Sequence, residues 1–87
     1  MNQNVNDICK VLRYLSISPR NVVSFNGDAI KMDEYHNVIW CHRNDEPVCP
    51  PQYASISEIS RLVEAMRKVG DSKLQQMEID LLYAGAR

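Results

Sequence analysis

The chain has 87 residues, short even for one domain, since domains usually run to roughly 100–150 residues. Hydrophobic residues make up 45% and charged residues 24%, globular proportions that exclude a disordered tail. Ten Lys and Arg against eleven Asp and Glu give a net charge of −1, which argues against a strongly basic nucleic-acid clamp and against an acidic nucleic-acid mimic.

A first helix is expected over residues 5–17. Val5, Ile8, Cys9, Leu12 and Leu15 recur at the spacing of one helical face. Asn4 or Asn6 supplies a cap, Asp7 suits the first turn of the helix dipole, and Pro19 sets the end. Asn26-Gly27 then separates two alternating runs, and this dipeptide supplies the two positive-φ residues of a type I′ hairpin turn. The predicted strands are 21–26 and 28–33. Their register pairs Val23 with Ile30, setting Val23, Phe25, Ile30 and Met32 on one face and Val22, Ser24, Ala29 and Lys31 on the other.

A turn over Asp33 to Asn37 leads to a third strand at 38–43, rich in β-branched and aromatic residues. Residues 44–54, stiffened by Pro47, Pro50 and Pro51, read as a loop. Ser55-Ile56-Ser57-Glu58 is a capping box that opens a helix over 55–69, and Gly70 stands at its C-cap. A weaker box at Ser72 and Gln75 opens a last helix over 72–84. The expected fold is a single α+β domain of order α-β-β-β-α-α, a three-stranded antiparallel meander packed against helices. Its expected core is Ile8, Leu12, Leu15, Val23, Phe25, Ile30, Ile59, Leu62, Val63 and Met66.

Candidate chemistry is sparse. Cys9, Cys41 and Cys49 are an odd set without Cys-x-x-Cys spacing, which favours reduced thiols over a disulfide framework. His36, Cys41, His42 and Cys49 do not follow zinc-site spacing. Cys41 and His42, as strand neighbours, are expected on opposite faces, so a shared metal and a Cys–His nucleophile are both disfavoured. Cys9 on the apolar stripe reads as core. No phosphate loop, nucleophile elbow or His-Glu-x-x-His is present. The reading is a non-enzyme without cofactor or metal. No apolar run reaches the ~20 residues of a membrane span. The polar start Met1-Asn2-Gln3-Asn4 is unlike a secretory leader. A cytoplasmic protein is expected.

Nucleic-acid binding or transcription regulation through Lys10, Arg13, Arg20, Arg67 and Lys68 is one alternative. It is weakened by the expected Glu58–Arg61 and Glu64–Lys68 pairs along one helix. A self-associating structural subunit, such as a homodimer, is another. The favoured function is binding of another protein, a host component or a subunit of its own complex. The expected contact residues are Tyr35, His36, Trp40, Arg43, Asp45, Glu46 and Tyr53, where aromatics gather beside acidic loops. Pairing of a partner strand along the 21–25 or 38–43 edge is a second route to the same end.

The hairpin, the Trp40 strand and the run Tyr53-Ala54-Ser55-Ile56-Ser57-Glu58 resemble small phage or mobile-element accessory proteins, over residues 21–69. That resemblance implies a host-interacting protein, such as an inhibitor of bacterial defence or transcription machinery. It carries over no catalytic residues.

Overall fold

The structure, a computed structural model, describes residues 3–85. Helix α1 (Gln3–Ser16) is followed by strands β1 (Val22–Phe25), β2 (Asp28–Met32), β3 (Val38–Arg43) and β4 (Glu46–Tyr53). Helices α2 (Ile56–Lys68) and α3 (Lys73–Gly85) complete it. The sheet is an antiparallel meander of order β1-β2-β3-β4. The three-stranded expectation therefore gains a strand where a loop over 44–54 was read. Two causes explain it. Asn44 and Asp45 take φ of 52° and 67°, the paired left-handed conformations of a second two-residue hairpin turn. Pro47, Pro50 and Pro51 lie in an edge strand, where a missing N–H breaks the fewest ladder bonds.

The first hairpin forms as its dipeptide dictates. Asn26 and Gly27 have φ of 52° and 87°, and Val23 stands opposite Ile30. The two hairpin tips lean on each other. The Asp45 N–H donates to the Gly27 carbonyl at 2.8 Å and the Asn44 N–H to Asp28 Oδ1 at 3.0 Å. A Cβ at Gly27 would sit 3.0 Å from the Asp45 backbone nitrogen. Gly27→Ala therefore combines a left-handed penalty with a close backbone approach, and is expected to lose about 1–2 kcal/mol. A urea unfolding midpoint measures it.

Helix α2 is set by local chemistry at both ends. Ser55 Oγ accepts the Glu58 N–H and the Glu58 carboxylate accepts the Ser55 N–H, completing the capping box. At the other end Gly70 takes φ 68°. The Gly70 N–H reaches the Arg67 carbonyl and the Asp71 N–H the Met66 carbonyl, a Schellman closure. At the start of α3 the Asp71 carboxylate, rather than a Ser72–Gln75 box, accepts the Lys73 N–H at 2.9 Å.

One core joins all the layers. It gathers Val11 and Leu15 of α1, Val23, Ile30, Val38 and Trp40 of the sheet, Ile59, Leu62, Val63 and Met66 of α2, and Leu74 and Met77 of α3. Ile8, Leu12 and Phe25 of the expected core are only partly buried and pack against it. The buried stripe of α1 is rotated from the expected one. Asp7 and Val11 face inward, while Val5 and Cys9 are exposed, so Cys9 is not a core residue. On the rotated face Asp7 Oδ2 accepts from both Arg67 Nε and Nη2, which ties α1 to α2. Helix α1 begins at Gln3, so Asn4 and Asn6 lie inside it and Asp7 lies beyond its first turn.

Candidate functional site

The sheet carries a bulge that shapes its most elaborate surface. Ile30 stands opposite Trp40 and Ala29 opposite His42, so Cys41 is the extra residue in β3. Across the other side, Trp40 pairs with Gln52 and His42 with Pro47, and residues 48–51 of β4 span the same irregularity. An inserted residue reverses the alternation of side chains beyond it. Trp40 and Arg43, three apart, would fall on opposite faces of a regular strand. Here they share the helix side, and the Arg43 guanidinium stacks over the Trp40 ring at 4.4 Å from its centroid.

Arg43 also meets α2. Its Nη1 lies 3.3 Å from Glu58 Oε2. Glu58 thus serves two ends: one oxygen caps the helix and the other pairs with the sheet. Its pKa is held below the ordinary carboxylate value, chiefly by the Ser55 backbone N–H, then by the Ser55 hydroxyl, Arg43 and the Trp40 indole, against a smaller opposing effect of burial. A depressed folded pKa means a stabilising contribution that is present above the unfolded pKa and is lost as pH falls through the folded one.

Between the β1–β2 tip and α2 lies an open cleft of about 240 Å³. Phe25, Trp40, Leu62 and Ala65 give it an apolar floor, and Asp28, Arg43, Glu58 and Arg61 a charged rim. Arg61 does not pair with Glu58, and Glu64 does not pair with Lys68, as helix spacing predicted. Glu58 is taken by Arg43, and among the described residues neither of those pairs forms.

The seven expected contact residues separate into two groups. Tyr35 and His36 belong to the turn between β2 and β3, and Tyr53 pairs with Ile39 near that end. Tyr35 and Tyr53 are 75% and 72% exposed. Arg43, Asp45 and Glu46 stand at the opposite end of β3, by the hairpin tips. Trp40 lies between them, 4% exposed on the helix side. The cleft therefore collects Trp40 and Arg43 of the seven, while Asp45 lines a neighbouring hollow at the hairpin tips with His42 and Lys73, and the tyrosines lie away from both. Helix spacing pairs Arg61 with Glu58, so the sequence alone does not single it out. Phe25 was passed over because it was read as core.

Neither edge of the sheet is the bare strand that partner pairing was expected to use. β3 is interior, covered by β4, and β4 carries three prolines. β1 receives the Lys73 ammonium on its Ser24 carbonyl. Prolines and lysines at edges are the usual obstacles to strand addition. Of the basic residues expected to meet nucleic acid, Arg67 is engaged by Asp7, and Lys10 by Asp7 and Glu78.

The cysteines are unpaired, and the bulge at Cys41 removes the simple alternation that set it against His42. Among the described residues no three His, Cys, Asp or Glu side chains converge as a metal site would need. Burial pushes the Cys41 thiol above its ordinary value, with Lys31 opposing. The thiolate is the reactive form, so iodoacetamide at neutral pH is expected to label the exposed Cys9 and Cys49 well before Cys41. Peptide mass spectrometry over a time course checks this. No helix among the described residues is long and apolar enough to cross a membrane.

The described residues form a small α+β domain with a four-stranded antiparallel meander, three helices and, among its hollows, a charged-rimmed cleft between the β1–β2 tip and α2. Neither a family model, nor a curated protein, nor a solved structure matches the chain.

Proposed function

We propose that the chain is a non-catalytic protein-binding module, in its fuller form a modulator or inhibitor of a larger assembly. The observation that carries this reading is the cleft at the hairpin end. Its volume of about 240 Å³ falls below the roughly 300–1,000 Å³ typical of small-molecule and cofactor pockets, and larger hollows, of about 360 and 430 Å³, lie more open to solvent. It suits a single anchoring side chain of a partner, with an apolar floor and a polar rim as interfaces have. With prolines in β4 and the Lys73 ammonium of α3 on the Ser24 carbonyl of β1, recognition runs through side chains rather than through an added strand. Asp45 and Glu46 at the adjoining β3–β4 hairpin tip steer basic surface on the partner.

The test is a tagged capture from native cytosol, with and without nuclease, comparing wild type with Arg61→Glu and Asp45→Lys. A protein partner that survives nuclease and is lost from both variants supports the reading. Recovery of nucleic acid alone overturns it.

Self-association is a second reading with its own observation. On α3, Leu82 and Tyr83 are 70% and 74% exposed beside the exposed Ile79. Contiguous apolar surface of this kind marks contact sites. Sedimentation equilibrium separates the two: a concentration-dependent dimer that Leu82→Glu abolishes favours self-association, and a monomer throughout removes it.

A further inference from the structure

Two donors of the cleft wall, on Trp40 and Arg61, are left without a completed bond. Both carboxylates of its wall already have partners. Asp28 Oδ1 accepts the Asn44 N–H at 3.0 Å, Glu58 Oε1 accepts the Ser55 N–H at 2.9 Å, and Glu58 Oε2 faces Arg43 at 3.3 Å. The donors are not matched. Trp40 is 4% exposed and its indole nitrogen has no hydrogen-bond partner. Its N–H is turned to the Glu58 side of the cleft, near enough to help hold that carboxylate ionised, without completing a bond to it. Arg61 stands exposed on the rim with no ion pair or hydrogen bond to another described residue. A buried donor left unmade costs about 1–3 kcal/mol. An acceptor that reaches it recovers much of that cost.

We infer that the cleft is a subsite for a carboxylate, received by the Arg61 guanidinium and the Trp40 indole N–H, with its methylene stem against Phe25, Leu62 and Ala65. The inference deepens the protein-binding reading by giving the chemistry of one partner residue, an aspartate or glutamate side chain. A singly charged group fits better than a phosphate. Glu58 and Asp28 flank the site, and a second negative charge would be repelled by both. The apolar floor suits a short aliphatic stem. Arg43 is held by the ring and by Glu58, so Arg61 is the guanidinium left to pair. A fork of parallel N–H groups suits a planar carboxylate.

Trp40 is the sole tryptophan of the chain, so its indole N–H gives one unambiguous cross-peak in a nitrogen–proton correlation spectrum. The experiment titrates the labelled full chain with N-acetyl-glutamate methylamide, with the matching glutamine compound, and with inorganic phosphate. The expected result is a saturable downfield movement of the indole peak with the glutamate compound only. Arg61→Gln is expected to weaken that response at least tenfold while leaving the rest of the spectrum dispersed as in wild type. No movement with the glutamate compound overturns the inference, as does an equal response to glutamine or an undiminished response in Arg61→Gln. A response to phosphate as strong as that to glutamate overturns the choice of carboxylate. No partner protein is in the sample, so a failed titration removes the subsite alone. A failed capture beside a positive titration removes the protein-binding reading and leaves the carboxylate subsite standing.

Discussion

Trp40→Ala is expected to lose about 3–5 kcal/mol of stability, the range for removing a large aromatic from a packed core. For a domain of this size the total is roughly 4–13 kcal/mol, at ~0.05–0.15 kcal/mol per residue, so the loss takes a large share of the stability and, toward the low end of that range, all of it. The reason is position. Trp40 stands opposite Ile30 in the sheet, belongs to the core that joins α1, α2 and α3, and carries Arg43 on its ring. Its removal opens a cavity at the junction of the layers and frees Arg43 together with its link to Glu58. A loss of partner binding in Trp40→Ala would therefore mix lost stability with a missing contact. Trp40→Phe separates the two effects. It keeps most of the packing and deletes a donor that has no partner in the free protein, so its cost is expected to stay near 1 kcal/mol. Urea unfolding followed by far-ultraviolet circular dichroism measures both variants. An alanine variant with an unchanged midpoint would show that the ring does not belong to the core.

What the sequence disclosed was chemistry confined to a few neighbouring residues. Asn26-Gly27 specifies its turn whatever surrounds it, because both residues accept positive φ, and the register follows from the two-residue loop. Ser55 and Glu58 satisfy each other's amides across a single helical turn. Gly70 closes the same helix. The buried residues of α2, Ile59, Leu62, Val63 and Met66, follow directly from periodicity, since one stripe faces the core.

Where the reading diverged, the deciding partner was distant in the chain. Asn44-Asp45 carries a weaker turn signal than Asn26-Gly27, and the prolines after it argue against a strand unless that strand is known to be an edge. Being an edge is a property of the sheet. The buried face of α1 carries Asp7, whose partner inside the fold is Arg67, sixty residues later. The bulge at Cys41 has no signature within β3, because it arises from a mismatch of register with both neighbours. That mismatch brings Trp40 and Arg43 together and builds the candidate site. The site was therefore legible as residue types near 40–46, and its geometry was not.

Arg67→Ala is expected to destabilise the fold more than Asp7→Asn, although the two residues form one pair. Asp7 is 5% exposed, and Arg67 brings both Nε and Nη2 to its Oδ2 oxygen. Lys10 lies 3.7 Å from the other oxygen and is also drawn toward Glu78. Removing Arg67 strands a carboxylate that the helices have already taken out of water, with only this weaker cation beside it. Losing one member of a buried pair in that way is strongly unfavourable. Arg67 is the more exposed partner. In Asp7→Asn its guanidinium turns into solvent, and the amide oxygen still accepts a hydrogen bond. The expected losses are about 2–3 kcal/mol for Arg67→Ala and about 1 kcal/mol for Asp7→Asn. In Arg67→Ala combined with Asp7→Asn, the buried charge is gone, so the double variant is expected to be more stable than Arg67→Ala alone. A thermodynamic cycle from urea unfolding reads this coupling directly. Additive losses would mean that Asp7 is turned inward by packing alone. A double variant that recovers stability would mean that the ion pair decides which face of α1 is buried.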